Sequence, residues 1–154
     1  MSEPNDPGRA GVKAGRVVGI LTATLAVLTV WQGWSAFSEG LTVVFGLEPA
    51  LPTTALFWGN AALVAVARYT FCYVVGSLVG MLYGWLDQPP LPVLIGVVLV
   101  VGAADGILAG IDTQSVLVGL AYVVAWLWYV PVFVWLFDPG AGDSRSGPRR
   151  LGDS

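Results

Sequence analysis

The chain contains no histidine and a single cysteine, Cys72, among its 154 residues. Without histidine there is no imidazole to act as a general base, to bind zinc or to hold a haem. One cysteine cannot form a disulfide within the chain, and a thiolate zinc site needs several. We therefore predict no catalytic residues, no metal-binding residues and no cofactor, and we expect that the protein is not an enzyme.

Charged residues are also scarce, at 11% of the chain, whereas a soluble domain has about 25%. Hydrophobic residues make up 56%, and the net charge is −3. No basic cluster is large enough to neutralise a run of phosphates, so we expect no nucleic-acid partner. We predict an integral membrane protein that lies in the lipid bilayer. Its single lysine among seven basic residues is typical of salt-adapted archaeal proteins.

Long apolar segments predict an all-α fold, a bundle of four transmembrane helices in a multi-pass membrane protein. A hydrocarbon core of about 30 Å needs about 20 helical residues. The segments that approach this length are 15–37, 68–86, 91–111 and 115–137. Residues 54–67 are also apolar, and we expect them to form an interfacial or re-entrant helix between the first two spans or a steeply tilted extension of the second. The polar arms 1–14 and 138–154 are predicted to be disordered.

The basic residues predict the orientation of these spans. Apart from Arg68 they all lie near the two ends of the chain, at Arg9, Lys13, Arg16, Arg145, Arg149 and Arg150. By the positive-inside rule both termini are cytoplasmic and the protein lies in the cell membrane. Dividing 54–86 into two spans would separate the basic clusters, so the four-span arrangement is preferred. A cleaved signal peptide remains an alternative for the first segment, because a basic arm precedes its apolar core.

Two Gly-x-x-x-Gly repeats lie within the predicted spans. The first glycine repeat is Gly76, Gly80 and Gly84, and the second is Gly102, Gly106 and Gly110. Residues four apart share a helix face, so each repeat forms a groove in which another helix backbone can approach closely, as in a glycine zipper. The helical rise places the first repeat in the inner leaflet and the second in the outer leaflet, so each needs its own partner.

The other spans offer small residues at matching depths. We predict that the first repeat packs on the first span at Gly15, Gly19 and Ala23, and that the second packs on the fourth span at Ser115 and Gly119. A second copy of the chain is the alternative source of either partner. These residues are candidates for helix packing rather than for chemistry.

Asp105 is the one acid inside a predicted span. A charge at the centre of a bilayer costs about 2.5 to 3.5 kcal/mol on insertion scales, so such a group normally faces protein or water and has a partner. Arg68, near the same depth of the neighbouring span, is the candidate partner in an intramembrane ion pair. Two alternatives remain open for Asp105, namely an acid solvated near the outer interface and a proton or cation site.

Aromatic residues recur along one face of the fourth span, at Tyr122, Trp126, Tyr129, Phe133 and Phe137. Spacings of three and four place them on one side of a helix. One interpretation is a groove for an isoprenoid, quinone or carotenoid, and the other is ordinary packing between helices. Pro131 lies close to this face and predicts a kink.

No motif in the chain identifies a reaction or a ligand. The glycine repeats favour a non-enzymatic helix-packing or assembly component, which acts as a homo-oligomer or with a larger membrane-protein partner. The alternative is a small oligomeric transporter or channel in which Asp105 lines the path.

Overall fold

The computed structural model describes residues 6–46 and 51–137, and all regular structure within these ranges is helical. The helices are α1 (Pro7–Gln32), α2 (Trp34–Phe45), α3 (Leu51–Trp85), α4 (Leu91–Asp112), α5 (Val116–Leu127) and α6 (Tyr129–Leu136). The predicted arm 138–154 lies outside the described residues.

Four helical segments are long and apolar enough to cross a membrane, namely Pro7–Gln32, Thr53–Trp85, Leu91–Asp112 and Val116–Leu136. Large apolar side chains cover their outer faces, among them Ile20, Val100 and Leu117. Such a surface is unfavourable in water and is matched by lipid chains. The prediction of an all-α fold with four helices long and apolar enough to cross a membrane is confirmed.

The first helix begins at Pro7 rather than at residue 15. The carboxylate of Asp6 accepts a hydrogen bond of 2.9 Å from the N–H of Gly8, and Pro7 occupies the first turn. This is a standard helix start, because the first N–H groups of a helix need an outside acceptor and proline needs none. The predicted disordered arm 1–14 is therefore wrong from residue 7 onward, and residues 1–5 lie outside the described part.

The second span is longer than predicted and is not divided near Arg68. α3 continues for 35 residues, so 54–67 belongs to the same uninterrupted helix as 68–85. The separate helix between the first two spans is instead α2, which has 12 residues. Gly33 and Gly46 bound α2, and Gly46 adopts the left-handed conformation with φ of 62°, which favours glycine.

The spans pack as two antiparallel pairs. α1 lies along α3, from Pro7 beside Gly84 to Trp31 beside Trp58, whose ring centroids are 5.4 Å apart. α4 lies along α5, whereas α3 and α4 hardly touch although they are consecutive. α6 joins the pairs through a core that it shares with α1 and α3. The pairing of first with second span and of third with fourth is the one predicted.

The fourth span is interrupted at Trp128, where α5 ends and α6 begins. Pro131 has no N–H to donate to the carbonyl of Leu127, four residues before it, and its ring crowds that carbonyl. The interruption lies where proline predicts a kink.

Candidate functional site

The first glycine repeat holds α1 and α3 in direct backbone contact. A Cβ on Gly76 would lie 2.5 Å from the Cα of Gly15, and one on Gly80 would lie 2.7 Å from the Cα of Gly11. Gly84 meets the ring of Pro7, and a Cβ on Gly84 would lie 2.9 Å from its Cγ. None of these positions has room for a side chain, so the close approach of the helices depends on glycine.

The register of this contact differs from the prediction by one helical turn. The small residues of α1 that face the repeat are Gly11 and Gly15. Gly19 packs on Tyr69 instead, where an added Cβ would lie 3.0 Å from the Cδ2 and from the carbonyl oxygen of Tyr69. Ala23 lies further along, in a groove beyond Tyr69. The error follows from placing the helix start at residue 15, which left Gly11 outside the span.

The three glycines of the second repeat approach α5 to different distances. Gly106 and Gly119 face each other, and a Cβ on either would lie 2.6 Å from the carbonyl oxygen of the other. Gly102 lies under Trp126, and an added Cβ there would be 2.8 Å from the Cβ of Trp126. Gly110 is looser, because an added Cβ would lie 3.5 Å from the carbonyl oxygen of Ser115 and 3.6 Å from the Cα of Gly119. Both repeats are therefore occupied within one chain.

The close contacts predict opposite effects of the same substitution at matched positions. Gly76→Ala should lower the free energy of unfolding by about 1 to 3 kcal/mol, the usual cost of overpacking. Gly59→Ala, in the same helix but with no atom within 4 Å of the added Cβ, should leave stability unchanged or raise it by about 0.5 to 1 kcal/mol.

Gly106→Ala and Gly110→Ala form a second matched pair in α4, with the larger loss expected for Gly106. Unfolding in mixed micelles with rising dodecyl sulfate, followed by tryptophan fluorescence, measures all four variants. Equal stability of Gly76→Ala and Gly59→Ala would contradict the backbone contact.

Arg68 and Asp105 come together between three helices. Arg68 Nη1 of α3 donates to Asp105 Oδ1 of α4 in a hydrogen-bonded salt bridge. The second carboxylate oxygen, Oδ2, accepts a hydrogen bond of 3.0 Å from the indole N–H of Trp126 in α5. The guanidinium of Arg68 lies over the ring of Tyr122, at 4.8 Å from its centroid, in a cation–π contact. The four residues form the Asp105 cluster.

The surroundings of Asp105 leave little of its carboxylate free. The residue is 4% exposed, and both of its oxygens accept a hydrogen bond. Burying a charge in a low dielectric is unfavourable unless a partner charge and hydrogen bonds compensate. Arg68 and Trp126 provide both. Because α3 and α4 hardly touch elsewhere, the cluster is also the main connection between these two helices.

Two members of the cluster, Trp126 and Tyr122, were predicted as part of the aromatic face and not as partners of Asp105. The sequence signal for these two contacts is the chemistry of the rings. A buried indole N–H needs an acceptor, and an aromatic face attracts a guanidinium. The sequence places Asp105 and Trp126 in facing spans but does not align their depths.

The aromatic face of the fourth span is core rather than an open groove. Trp126 and Tyr129 are 0% exposed, Tyr129 donates a hydrogen bond of 2.7 Å to the carbonyl of Gly76, and Phe133 stacks on Tyr129 with centroids 5.7 Å apart. Tyr83 of α3 packs edge-on against Phe133. The interpretation as a groove for an isoprenoid, quinone or carotenoid is wrong, because protein fills the space beside these rings.

The described residues offer no group of three or more His, Cys, Asp or Glu side chains that could hold a metal ion. Cys72 is buried, with its sulfur 3.2 Å from the hydroxyl of Thr22. No family model matches the chain, and no curated protein or solved structure shows significant similarity to it.

A direct ion pair predicts non-additive losses of stability. Arg68→Gln should cost about 3 to 5 kcal/mol, because it leaves the buried carboxylate of Asp105 without its partner charge. Asp105→Asn should cost less, because the side chain of Arg68 keeps 24% exposure. The double variant should cost clearly less than the sum of the two. The same unfolding titration in mixed micelles measures the cycle, with Asp112→Asn, which removes an exposed acid of the same helix, as the control. Additive losses would rule out a direct interaction.

Proposed function

We propose that the protein is a non-enzymatic helix-packing component of the cell membrane that assembles with itself or with a larger membrane protein. Both glycine repeats are filled by helices of the same chain, so a partner needs another surface. The outer part of α3 is the surface that best fits this role.

The observation that carries the proposal is the length of α3. From the Arg68–Asp105 contact, α4 continues for about 10 Å to Asp112, whereas α3 continues for about 25 Å to Leu51. α3 therefore projects about 15 Å beyond the end of α4. Its projecting part is buried on one side at Thr53, Phe57 and Ala61.

The opposite side of the projecting part of α3 is bare. Leu56, within the projecting part, is 62% exposed, and Leu63, just below it on α3, is 68% exposed. We name this exposed side the outer α3 face. In a membrane, a helix of another protein chain can pack closely against such an exposed apolar face.

Tryptophans at both ends of the α1–α3 pair support a position across the membrane. Trp31 and Trp58 lie together at one end, and Trp85, which is strongly exposed, lies at the other. From Trp58 to Trp85 is about 40 Å of helix, close to the thickness of a bilayer with its head groups. Tryptophan favours the membrane interfaces, so the pair is long enough to reach from one interface to the other.

The proposed orientation has both termini in the cytoplasm. Arg9, Lys13 and Arg16 lie toward the Trp85 end of the α1–α3 pair, and the described part of the opposite end carries no Lys or Arg. This asymmetry is what the positive-inside rule requires.

The orientation predicts different labelling of the two turns that flank α4. On a Cys72→Ser background, Gln114→Cys should react with a membrane-impermeant maleimide in intact cells, because its turn faces outward. Gln88→Cys, in the exposed turn at the other end of α4, should react only after permeabilisation. Labelling of Gln88→Cys in intact cells would reverse the proposed orientation.

The assembly proposal predicts a native mass above that of one chain in mild detergent, or a copurifying membrane protein. Leu63→Trp, which adds bulk to the outer α3 face, should reduce the fraction in the complex. Val100→Trp, at an equally exposed position of α4, should leave that fraction unchanged. Native mass spectrometry measures both variants.

A stable monomer without copurifying protein would contradict assembly. The alternative function, a small oligomeric transporter or channel, depends on Asp105 and on Arg68, whose side chain keeps 24% exposure. Ion flux into liposomes that is lost in Asp105→Asn and kept in Asp112→Asn would favour the transporter over the assembly component.

A further inference from the structure

Three basic residues form a row on one exposed face of α1. Arg9, Lys13 and Arg16 follow at spacings of four and three, so they share a helix face, and all three are exposed. The guanidinium of Arg16 lies 5.7 Å from the ring centroid of Tyr73 in α3. The Arg16 end of the row is therefore next to the contact between α1 and α3. No described acid pairs with any of the three.

The basic row lies alongside the apolar parts of α3 and α6 and does not end before they begin. Since Gly15 faces Gly76, Arg16 lies level with Val75, and α3 continues from there for about 15 Å to Trp85. α6 gives a similar value, because Tyr129 bonds to Gly76 and from Tyr129 to Phe137 is about 12 Å. Over this interval α3 exposes Leu78, Met81 and Leu82. Lys13 and Arg16 are therefore cations beside lipid-facing apolar surface.

Cations at this depth need a counter-charge. Long basic side chains lean toward the N-terminal end of their helix, which here is the nearer membrane interface, and reach toward the head groups. The head groups are the nearest source of negative charge, since Lys13 and Arg16 have no acid beside them within the described chain.

An apolar groove continues the same face of α1 directly beyond Arg16. It has a volume of about 490 Å³, and Ile20, Ala23 and Val27 of α1 form one wall while Val66 and Tyr69 of α3 form the other. The helix positions 9, 13, 16, 20, 23 and 27 repeat at threes and fours, so the basic row and the groove lie in line. A basic row that continues into an apolar groove matches the charged head group and the acyl chain of an anionic phospholipid.

We propose that this face of α1 and α3 binds one anionic phospholipid, with its phosphate at Lys13 and Arg16 and an acyl chain in the groove. The groove alone gives no preference among lipids, because a chain leaving the bilayer for the groove exchanges one apolar environment for another. The selection for negative charge comes from the basic row. This site uses other residues than the outer α3 face, which lies nearer the N-terminal end of α3.

The test is native mass spectrometry of the full chain taken from nanodiscs that contain phosphatidylcholine and phosphatidylglycerol. The protein should retain one phosphatidylglycerol in preference to phosphatidylcholine. Replacing Lys13 or Arg16 by glutamine should weaken this retention by about fivefold for each cation. Lys13→Arg, which keeps the charge, should retain the lipid.

The groove provides a second and independent variant. Ala23→Trp fills it and should reduce retention of phosphatidylglycerol while leaving the basic row intact. Ala121→Trp is the matched control, because it fills a neighbouring apolar groove between α1 and α5 that has no basic residue in its lining. Tryptophan fluorescence during unfolding checks that both variants are folded.

Two outcomes would overturn the proposal. The first is equal retention of the two lipids by the unmodified protein. The second is loss of a dimer mass, rather than of bound lipid, in the Lys13→Gln/Arg16→Gln variant, which would assign the basic row to an acidic surface of a second copy.

Discussion

The contact of α1 with α3 through Gly11, Gly15, Gly76 and Gly80 is the constraint on which the rest of the structure depends. With the two backbones in contact, the carbonyl of Gly76 is accessible to the hydroxyl of Tyr129, and α6 packs across both helices. A side chain at Gly76 would separate the helices and move this acceptor away from Tyr129. The glycine positions thus set the location of α6 as well as the spacing of α1 and α3.

The Asp105 cluster connects the α1–α3 pair to the α4–α5 pair. Apolar packing alone distinguishes poorly between helix faces in a bilayer, because lipid chains are as apolar as the side chains they replace. An arginine and an aspartate that must meet remove this ambiguity, since any other rotation leaves an unpaired charge on an apolar helix face. The indole of Trp126 extends the same restriction to α5.

The candidate spans and their pairing could be predicted from the sequence because both follow from local patterns. Apolar length predicts a span, and four-residue glycine spacing predicts a groove at a known depth. The start of α1 was misplaced because Pro7, Gly8 and Gly11 are typical of loops, while their roles here are to begin a helix and to contact α3. For 54–67 a separate interfacial helix and a tilted extension of the second span both stayed open, because α3 is longer than one upright span needs, and the structure has the continuous helix. The partners of Asp105 beyond Arg68 depend on rotation about helix axes, which no local pattern records.

The two helix pairs differ in how far apart along the chain their contacts lie. Gly106 and Gly119 belong to neighbouring helices joined by a short turn, so this pair forms from a continuous stretch of chain. Pro7 meets Gly84, and the whole of α2 and α3 must be synthesised before that contact exists. During synthesis α1 is therefore without its partner, and its glycine face is open to other helices until α3 is complete.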